Sequence, residues 1–157
     1  MKVGQRSEAV SAPGARILLV VAPYYDAITA LMESGAEAAA TRVGAKLDKI
    51  VVPGAFEIPG AIATACKFET YEGFVALGCV IRGETSHYDY VCGESARGLM
   101  DLSIREGLAI GYGILTVNTL AQAEARADPA RGDKGGEAVK AAAAMIALKR
   151  RFAEIER

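Results

Sequence analysis

The chain has 157 residues, of which 52% are apolar, and a formal net charge of −1 at pH 7. This length fits one domain with a real core, because folding should bury about 70% of the unfolded surface. The small charge argues against a nucleic-acid or anionic-membrane binder, and no apolar run reaches the roughly 18–20 residues of a membrane span.

The first residues differ in character from the rest of the chain. Residues 1–15 are polar and lack the apolar centre of a signal peptide, so they predict a loose N-terminal arm and a cytoplasmic protein. Residues 16–157 are then expected to form one domain. Their apolar content is high for a small monomer, which indicates that further surface is buried between subunits.

The first half of the domain alternates between strand and helix patterns. Residues 16–21 predict a strand buried on both faces, and Asp26 can cap a helix that stops at Gly44. Residues 49–52 predict the second strand. The helix that follows carries Pro59 in its first turn, where proline is tolerated.

The second half continues the alternation. Residues 74–81 predict a strand, residues 87–107 a helix, and residues 108–117 a fourth strand. Four alternations predict an α/β protein, a three-layer α/β/α sandwich with a central four-stranded parallel sheet.

The remainder predicts two helices and a loop. Thr119 and Gln122 have the spacing of a capping box at the start of a short helix that ends near Ala127. Residues 127–136 predict a loop, and an alanine-rich helix then runs to the end of the chain.

The cysteines do not indicate a metal site. Cys66, Cys79 and Cys92 are odd in number and have no CxxC spacing, and the chain has only one histidine. They are interpreted as small, buried packing residues.

Ligands of parallel sheets bind outside the carboxyl ends of the strands. At two of these ends, Tyr24 and Phe56 could stack on a flat ring or simply pack at the rim. Glu57, at a helix start, could bind polar ligand atoms or be a charge favoured by the helix dipole.

The third strand end carries the strongest signal. Residues 78–90, GCVIRGETSHYDY, contain the only histidine, His87. A strand that ends at a glycine turn and opens a helix presents backbone N–H groups and the positive end of the dipole, which favours phosphate. An imidazole beside such a site suits a phosphorylated substrate that needs proton transfers. Alone, the same histidine could equally be a cap or a surface residue.

Three segments together resemble the lumazine synthase family. They are VVPGAFEIP at 51–59, GCVIRGETSHYDYV at 78–91, and a tail with Asn118, Gln122, Ala123, Arg126 and the run Gly132, Asp133, Lys134, Gly135. The resemblance implies a flavodoxin-like fold. It also implies condensation of 5-amino-6-(D-ribitylamino)uracil with 3,4-dihydroxy-2-butanone 4-phosphate to 6,7-dimethyl-8-ribityllumazine, phosphate and water, in riboflavin biosynthesis. No metal or organic cofactor is implied.

The resemblance also implies roles for individual residues. His87 would be the proton shuttle. The pyrimidine and its ribityl chain would contact Tyr24, Ala55, Phe56, Glu57, Cys79, Val80, Ile81, Tyr112 and Lys134. The phosphate would be held by Glu84, Thr85 and Arg126.

The positions of some of these residues indicate a shared site. Tyr112 lies early in its strand, and the helix that carries Arg126 runs back about 13 Å from the carboxyl edge. Arg126 and Lys134 would then serve a neighbouring subunit's site or be solvated charges. The resemblance favours the first and implies a homopentamer. It also allows an N-terminal arm that adds to a neighbour's sheet, and an association with riboflavin synthase.

Residues 127–131 (ADPAR) depart from the family members that form sixty-subunit shells, which tend to have a glycine-lysine-glycine turn there. Pro129 fixes its φ and adds no flexibility, which predicts an isolated pentamer.

The sequence leaves two other classes of protein open. One is a non-catalytic flavin-binding or lumazine-binding protein, and the other is a structural cage that has lost its chemistry. The joint presence of His87, Arg126 and Lys134 argues against the first, and the intact turn at 82–87 argues against the second.

Overall fold

The computed structural model describes residues 10–155, which contain one four-stranded sheet. The strands are β1 (Arg16–Val21), β2 (Lys46–Val51), β3 (Gly73–Ile81) and β4 (Ala109–Val117). All neighbouring strands pair in parallel, in the order β2-β1-β3-β4. The predicted parallel α/β sheet is therefore confirmed.

Helices cover both faces of this sheet. They are α1 (Asp26–Val43), α2 (Ile58–Phe68), α3 (His87–Arg105), α4 (Leu120–Ala127) and α5 (Lys134–Ile155), with a short 3-10 turn at Ala55–Glu57. Successive side chains of a strand point to opposite faces. Ile17 and Leu19 of β1 therefore pack with α1 and α5, whereas Leu18 and Val20 pack with α2 and α3. The result is the predicted three-layer sandwich. None of the helices between residues 10 and 155 has the length and hydropathy needed to cross a membrane.

The predicted ends of α1 hold in part. Gly44 takes φ 81° and ends the helix, as predicted, because glycine adopts this left-handed conformation without strain. The predicted cap at Asp26 is wrong. Tyr25 occupies the cap position without a side-chain hydrogen bond, and Asp26 is the first helical residue, where its charge suits the dipole.

The predicted capping box of α4 is confirmed. Thr119 Oγ1 accepts a hydrogen bond from the Gln122 N–H at 3.2 Å. Gln122 Oε1 accepts one from the Asn118 N–H at 2.8 Å.

The prediction was wrong about where β2 and α5 begin. β2 starts at Lys46, not at residue 49, because it is an edge strand whose polar side chains face solvent while its backbone pairs with β1. The loop predicted to reach residue 136 ends at Asp133. Gly135 and Gly136 belong to the first turn of α5, where a Cβ on Gly135 would lie 2.1 Å from the Met32 carbonyl oxygen of α1.

Part of the predicted arm lies within the described residues. There, the Ala12 N–H donates to the Val43 carbonyl and the Gly14 N–H donates to the Gly44 carbonyl, both at 2.9 Å. Ala12 and Ala15 are buried. Residues 10–15 thus lie against the end of α1. Residues 1–9, and their predicted addition to a neighbouring sheet, lie outside the described residues.

The three cysteines differ in burial, although all were predicted to be buried. Cys79 is buried in β3, Cys92 is half-buried and Cys66 is exposed on α2. The prediction of a buried packing role is therefore wrong for Cys66, because its helix is covered by the rest of the chain on one side only.

Candidate active site

A cleft of about 630 Å³ lies at the carboxyl ends of β1, β2 and β3. Its wall combines two aromatic residues after β1, the turn after β2, the end of β3 and the first turns of α3. The lining residues are Tyr24, Tyr25, Pro53, Gly54, Ala55, Phe56, Glu57, Cys79, Val80, Ile81, Gly83, Thr85, His87, Tyr88 and Val91. The strand ends singled out in the sequence therefore meet in one cavity.

The turn after β2 presents an aromatic ring and a carboxylate to this cleft. Ala55 is buried and anchors the 3-10 turn, while Phe56 is 57% exposed. The Glu57 N–H donates to the Gly54 carbonyl at 3.1 Å. A Cβ on Gly54 would lie 3.2 Å from Glu57 Oε1, so the carboxylate folds back over the turn.

The end of β3 supplies an apolar wall. Cys79 is 6% exposed, and its burial raises the pKa of the thiol to about 11. The thiol is therefore protonated near neutral pH and contributes packing surface in place of a nucleophile. Burial also raises the pKa of the neighbouring Tyr25 hydroxyl.

The turn between β3 and α3 places the imidazole. Thr85 Oγ1 accepts a hydrogen bond from the His87 N–H at 3.3 Å, and the Asp89 N–H donates to the Ser86 carbonyl at 3.0 Å. His87 is the first residue of α3, so its side chain leaves the helix at the positive end of the dipole. An anion bound beside Thr85 would lie next to this imidazole.

The structure brings most of the predicted site residues together in the cleft, and the rest lie outside its wall. The residues brought together are Tyr24, Ala55, Phe56, Glu57, Cys79, Val80, Ile81, Thr85 and His87. The residues outside the wall are Glu84, Tyr112, Arg126 and Lys134.

The four outlying residues are all exposed. Glu84 stands in the turn between Gly83 and Thr85, which both line the cleft. Tyr112 pairs with Ala76 in the β3–β4 ladder, at the opposite edge of the sheet from β2. Arg126 Nη1 donates to the Gln122 carbonyl at 3.1 Å, and Lys134 opens α5.

Some lining residues were not predicted as site residues. They are Tyr25, Pro53, Gly54, Gly83, Tyr88 and Val91. Most of them adjoin a predicted residue in sequence. Val91 follows His87 by four positions, and this helical spacing is the signal that could have identified it.

Comparison with known proteins decides the family. Residues 14–150 match the sequence profile described as 6,7-dimethyl-8-ribityllumazine synthase. The chain belongs to the lumazine synthase family. The resemblance inferred from the sequence motifs is thereby confirmed.

Curated relatives agree with this profile. Proteins named 6,7-dimethyl-8-ribityllumazine synthase from Novosphingobium aromaticivorans and Erythrobacter litoralis are 54% and 52% identical to the chain, each over 138 residues. These matches cover 88% of this chain and 99% and 98% of the relatives. A protein of the same name from Azorhizobium caulinodans is 50% identical over 95% of this chain and 98% of its own length.

The lumazine synthase motifs coincide with the cleft. Segment 51–59 supplies Pro53, Gly54 and the 3-10 turn Ala55–Glu57, and segment 78–91 supplies every lining residue from Cys79 to Val91. The segments on which the lumazine synthase resemblance rests are thus the same segments that build the cavity wall.

Proposed function

We propose that this protein catalyses the condensation of 5-amino-6-(D-ribitylamino)uracil with 3,4-dihydroxy-2-butanone 4-phosphate to 6,7-dimethyl-8-ribityllumazine. The observation that carries the proposal is one cleft that holds Phe56, Glu57 and His87 beside the start of α3. A flat ring, polar substituents and a phosphate each find suitable chemistry there. Membership of the lumazine synthase family supports this substrate pair.

The reaction needs several proton transfers. The pyrimidine amine attacks the ketone carbon, and the adduct loses water to give an imine. Phosphate then leaves, and the ribitylamino nitrogen closes the second ring with loss of another water. His87, on the cleft wall, accepts and donates these protons, because an imidazole can do both near neutral pH.

The cleft holds the two reactants in contact. The rings of Tyr24 and Phe56 stack on the pyrimidine, and both are largely exposed before substrate binds. Glu57 and the backbone of its turn bind the ring substituents and the ribityl chain. Holding two reactants in a reactive geometry can contribute roughly 7–11 kcal/mol, more than a single general acid or base.

The phosphate lies at the start of α3. Thr85 and the exposed Glu84 flank the backbone N–H groups of this helix start, which favour an anion. Arg126 supplies the balancing positive charge. It comes from the adjacent subunit, because α4 starts at the carboxyl edge of the sheet and carries Arg126 away from the cleft of its own chain.

The assembly is a homopentamer with a site between each pair of neighbours. Tyr112 and Lys134 are exposed and complete the neighbour's cleft in the same way as Arg126. Large apolar side chains on the outer face of α2 and α3 need cover, and a subunit interface provides it. These side chains are Phe68, Tyr90, Met100 and Ile104.

The remaining features of the assembly follow from the same reasoning. The N-terminal arm adds to the exposed edge strand β2 of a neighbour, and Pro129 keeps the assembly at an isolated pentamer. The protein is cytoplasmic and associates with riboflavin synthase. Light scattering tests the size, and a megadalton mass would contradict the isolated pentamer.

The decisive experiment mixes both substrates with the purified protein. Green lumazine fluorescence should grow together with released phosphate, in equal amounts. The matched control omits the phosphorylated ketone. A protein that gave neither signal would contradict the proposed function.

The shared site has a separate test. Neither His87→Ala nor Arg126→Ala should be fully active alone, because each variant lacks one side of every cleft. Co-assembled chains should regain activity, because some clefts then take His87 from one chain and Arg126 from the other. Confirmed mixed oligomers without regained activity would contradict the shared site.

A further inference from the structure

Arg82 lies between two parts of the chain that serve different sites in the proposed function. One part is the turn with His87, which serves the chain's own cleft, and the other is α4, which carries Arg126 to a neighbour's cleft. Arg82 is the first residue after β3, and its N–H donates to the Val117 carbonyl at the end of β4 at 2.9 Å. Its side chain is half-exposed and lies outside the cleft wall. Its side chain contacts the first turn of α3 on one side and the residue Asn118, just before α4, on the other.

One direction leads to the imidazole. Arg82 Cζ lies 4.2 Å from the centre of the Tyr88 ring, and Nη1 lies 3.6 Å from Asp89 Oδ1. These two residues directly follow His87 in the first turn of α3. The guanidinium therefore fixes the turn from which the imidazole projects into the cleft.

The other direction leads to α4. Arg82 Nε donates to Asn118 Oδ1 at 3.0 Å, and the Asn118 N–H donates to Gln122 Oε1 at 2.8 Å. The Gln122 carbonyl in turn accepts from Arg126 Nη1 at 3.1 Å. Three hydrogen bonds, joined through the covalent frames of Asn118 and Gln122, thus connect Arg82 with the arginine proposed to bind a neighbour's phosphate.

We propose that Arg82 is a positioning residue that supports two adjacent sites at once, its own His87 turn and the α4 that serves the neighbour. The inference rests on the proposed function. Only a planar guanidinium can stack on Tyr88 while its edge donates to Asn118 and reaches Asp89. The exposed ion pair with Asp89 stabilises little by itself, so the contribution of Arg82 is geometric.

The first test uses Arg82→Met and Arg82→Lys. Both should lower kcat/KM by roughly tenfold to a hundredfold, since small displacements of reacting groups have effects of this size. The loss should appear as a raised KM for the phosphorylated ketone together with a lowered kcat, while the oligomer mass stays that of wild type. Arg42→Met, at an exposed arginine in the last turn of α1, is the matched control and should behave as wild type. An Arg82→Met enzyme as active as that control, or full activity in Arg82→Lys, would overturn the proposal.

Asn118→Ala provides a second variant that keeps the contacts of Arg82 to α3. It loosens only α4, so co-assembly with His87→Ala should restore activity and co-assembly with Arg126→Ala should not. Arg82→Met should restore activity with neither partner, because it disturbs both sides. The mixture of His87→Ala and Arg126→Ala chains sets the activity expected of full restoration. If Arg82→Met reached that activity when co-assembled with either partner, the inference would be overturned. A wild-type enzyme that made no lumazine would instead contradict the proposed function.

Discussion

Thr85 accepts, through Oγ1, a hydrogen bond from the backbone N–H of His87 at 3.3 Å. This contact joins the turn after β3 to the first residue of α3. It fixes the direction in which the helix, and the imidazole with it, leaves the sheet. Thr85 and His87 both line the same cleft.

Thr85→Val should weaken this arrangement while keeping the side-chain shape. The valine cannot accept from the His87 N–H, and the loss of one such hydrogen bond costs about 1 kcal/mol. We expect KM for the phosphorylated ketone to rise about tenfold, because a hydrogen bond to a charged group contributes roughly 1.5–3 kcal/mol. Steady-state kinetics measure this. Thr85→Ser is the matched control and should remain near wild type, and equal activity of Val and Ser variants would contradict the role of the hydroxyl.

His87→Ala should slow lumazine formation by roughly 10²–10⁴-fold without abolishing it. The cleft still holds both substrates in contact after the imidazole is removed, and this contact contributes more than one proton-transfer group. Single-turnover measurement of lumazine fluorescence tests the prediction. Complete loss of activity in a variant whose fold and oligomer mass are unchanged would show that proximity contributes less than stated.

Gly35→Ala should be less stable than the matched variant Gly60→Ala by about 1–3 kcal/mol, the usual range for overpacking, because both helical positions gain the same better helix propensity of alanine. A Cβ on Gly35 would lie 2.2 Å from Asp133 Oδ1 and 3.3 Å from the Gly136 nitrogen. Asp133 also accepts, through Oδ1, from the Gly136 N–H at 3.3 Å, so its displacement would loosen the start of α5 and Lys134 with it. Thermal unfolding measures the effect. Gly60→Ala, where the added methyl meets open space, should cause no such loss.

Arg150 and Glu72 form a two-bond ion pair that fastens the end of α5 to the residue before β3. Arg150 Nε and Nη2 donate to the two Glu72 carboxylate oxygens at 2.9 and 2.8 Å, and Nη1 donates to the Pro13 carbonyl at 3.0 Å. Arg150→Met should lower the free energy of unfolding by about 1 kcal/mol or less at neutral pH, because both side chains are partly exposed.

The loss should depend on pH in a defined direction. The hydrogen bonds from Arg150 hold the pKa of Glu72 below its ordinary value of 4.5. A carboxylate whose pKa is lower in the folded than in the unfolded chain stabilises the fold at every pH above its unfolded pKa. This stabilisation disappears as the pH falls through the pKa of the folded chain. The difference between wild type and Arg150→Met should therefore be constant above about pH 5 and shrink in acid. Urea unfolding across this range measures it, and a difference that grew in acid would contradict the pairing.

The parallel sheet and the main cleft residues were predictable because their signals are local. Alternating strand and helix periods fix a parallel sheet, and parallel strands bring their carboxyl ends to one edge. Each of these residues lies in the short segment that links a strand to the next helix, or at the first residue of that helix: Tyr24, Phe56, Glu57 and His87. Their meeting in one cleft therefore follows from connectivity alone.

Other features depend on contacts that are distant in sequence. β2 begins earlier than predicted because backbone pairing with β1, not apolar pattern, sets the start of an edge strand. Gly135 and Gly136 predicted a loop, yet they allow α5 to approach α1 closely. The links from Arg82 to Tyr88 and Asn118 likewise join three elements, and no spacing within one element indicates them.

Every residue on the cleft wall lies between Tyr24 and Val91 in the sequence. Helix α5, which helps to cover one face of the sheet, comes last in the chain. Ile146 of α5 packs so tightly on Gly73 that a Cβ there would meet its Cδ1 at 2.8 Å. A growing polypeptide therefore carries all of the cleft residues well before its last helix leaves the ribosome. Until that helix docks, the part of this apolar face that α1 does not cover stays open to water. A shortened gene product that ends before α5 would keep every residue on the cleft wall of its own chain, but it would lack Lys134 and the helix that completes the layer behind the sheet.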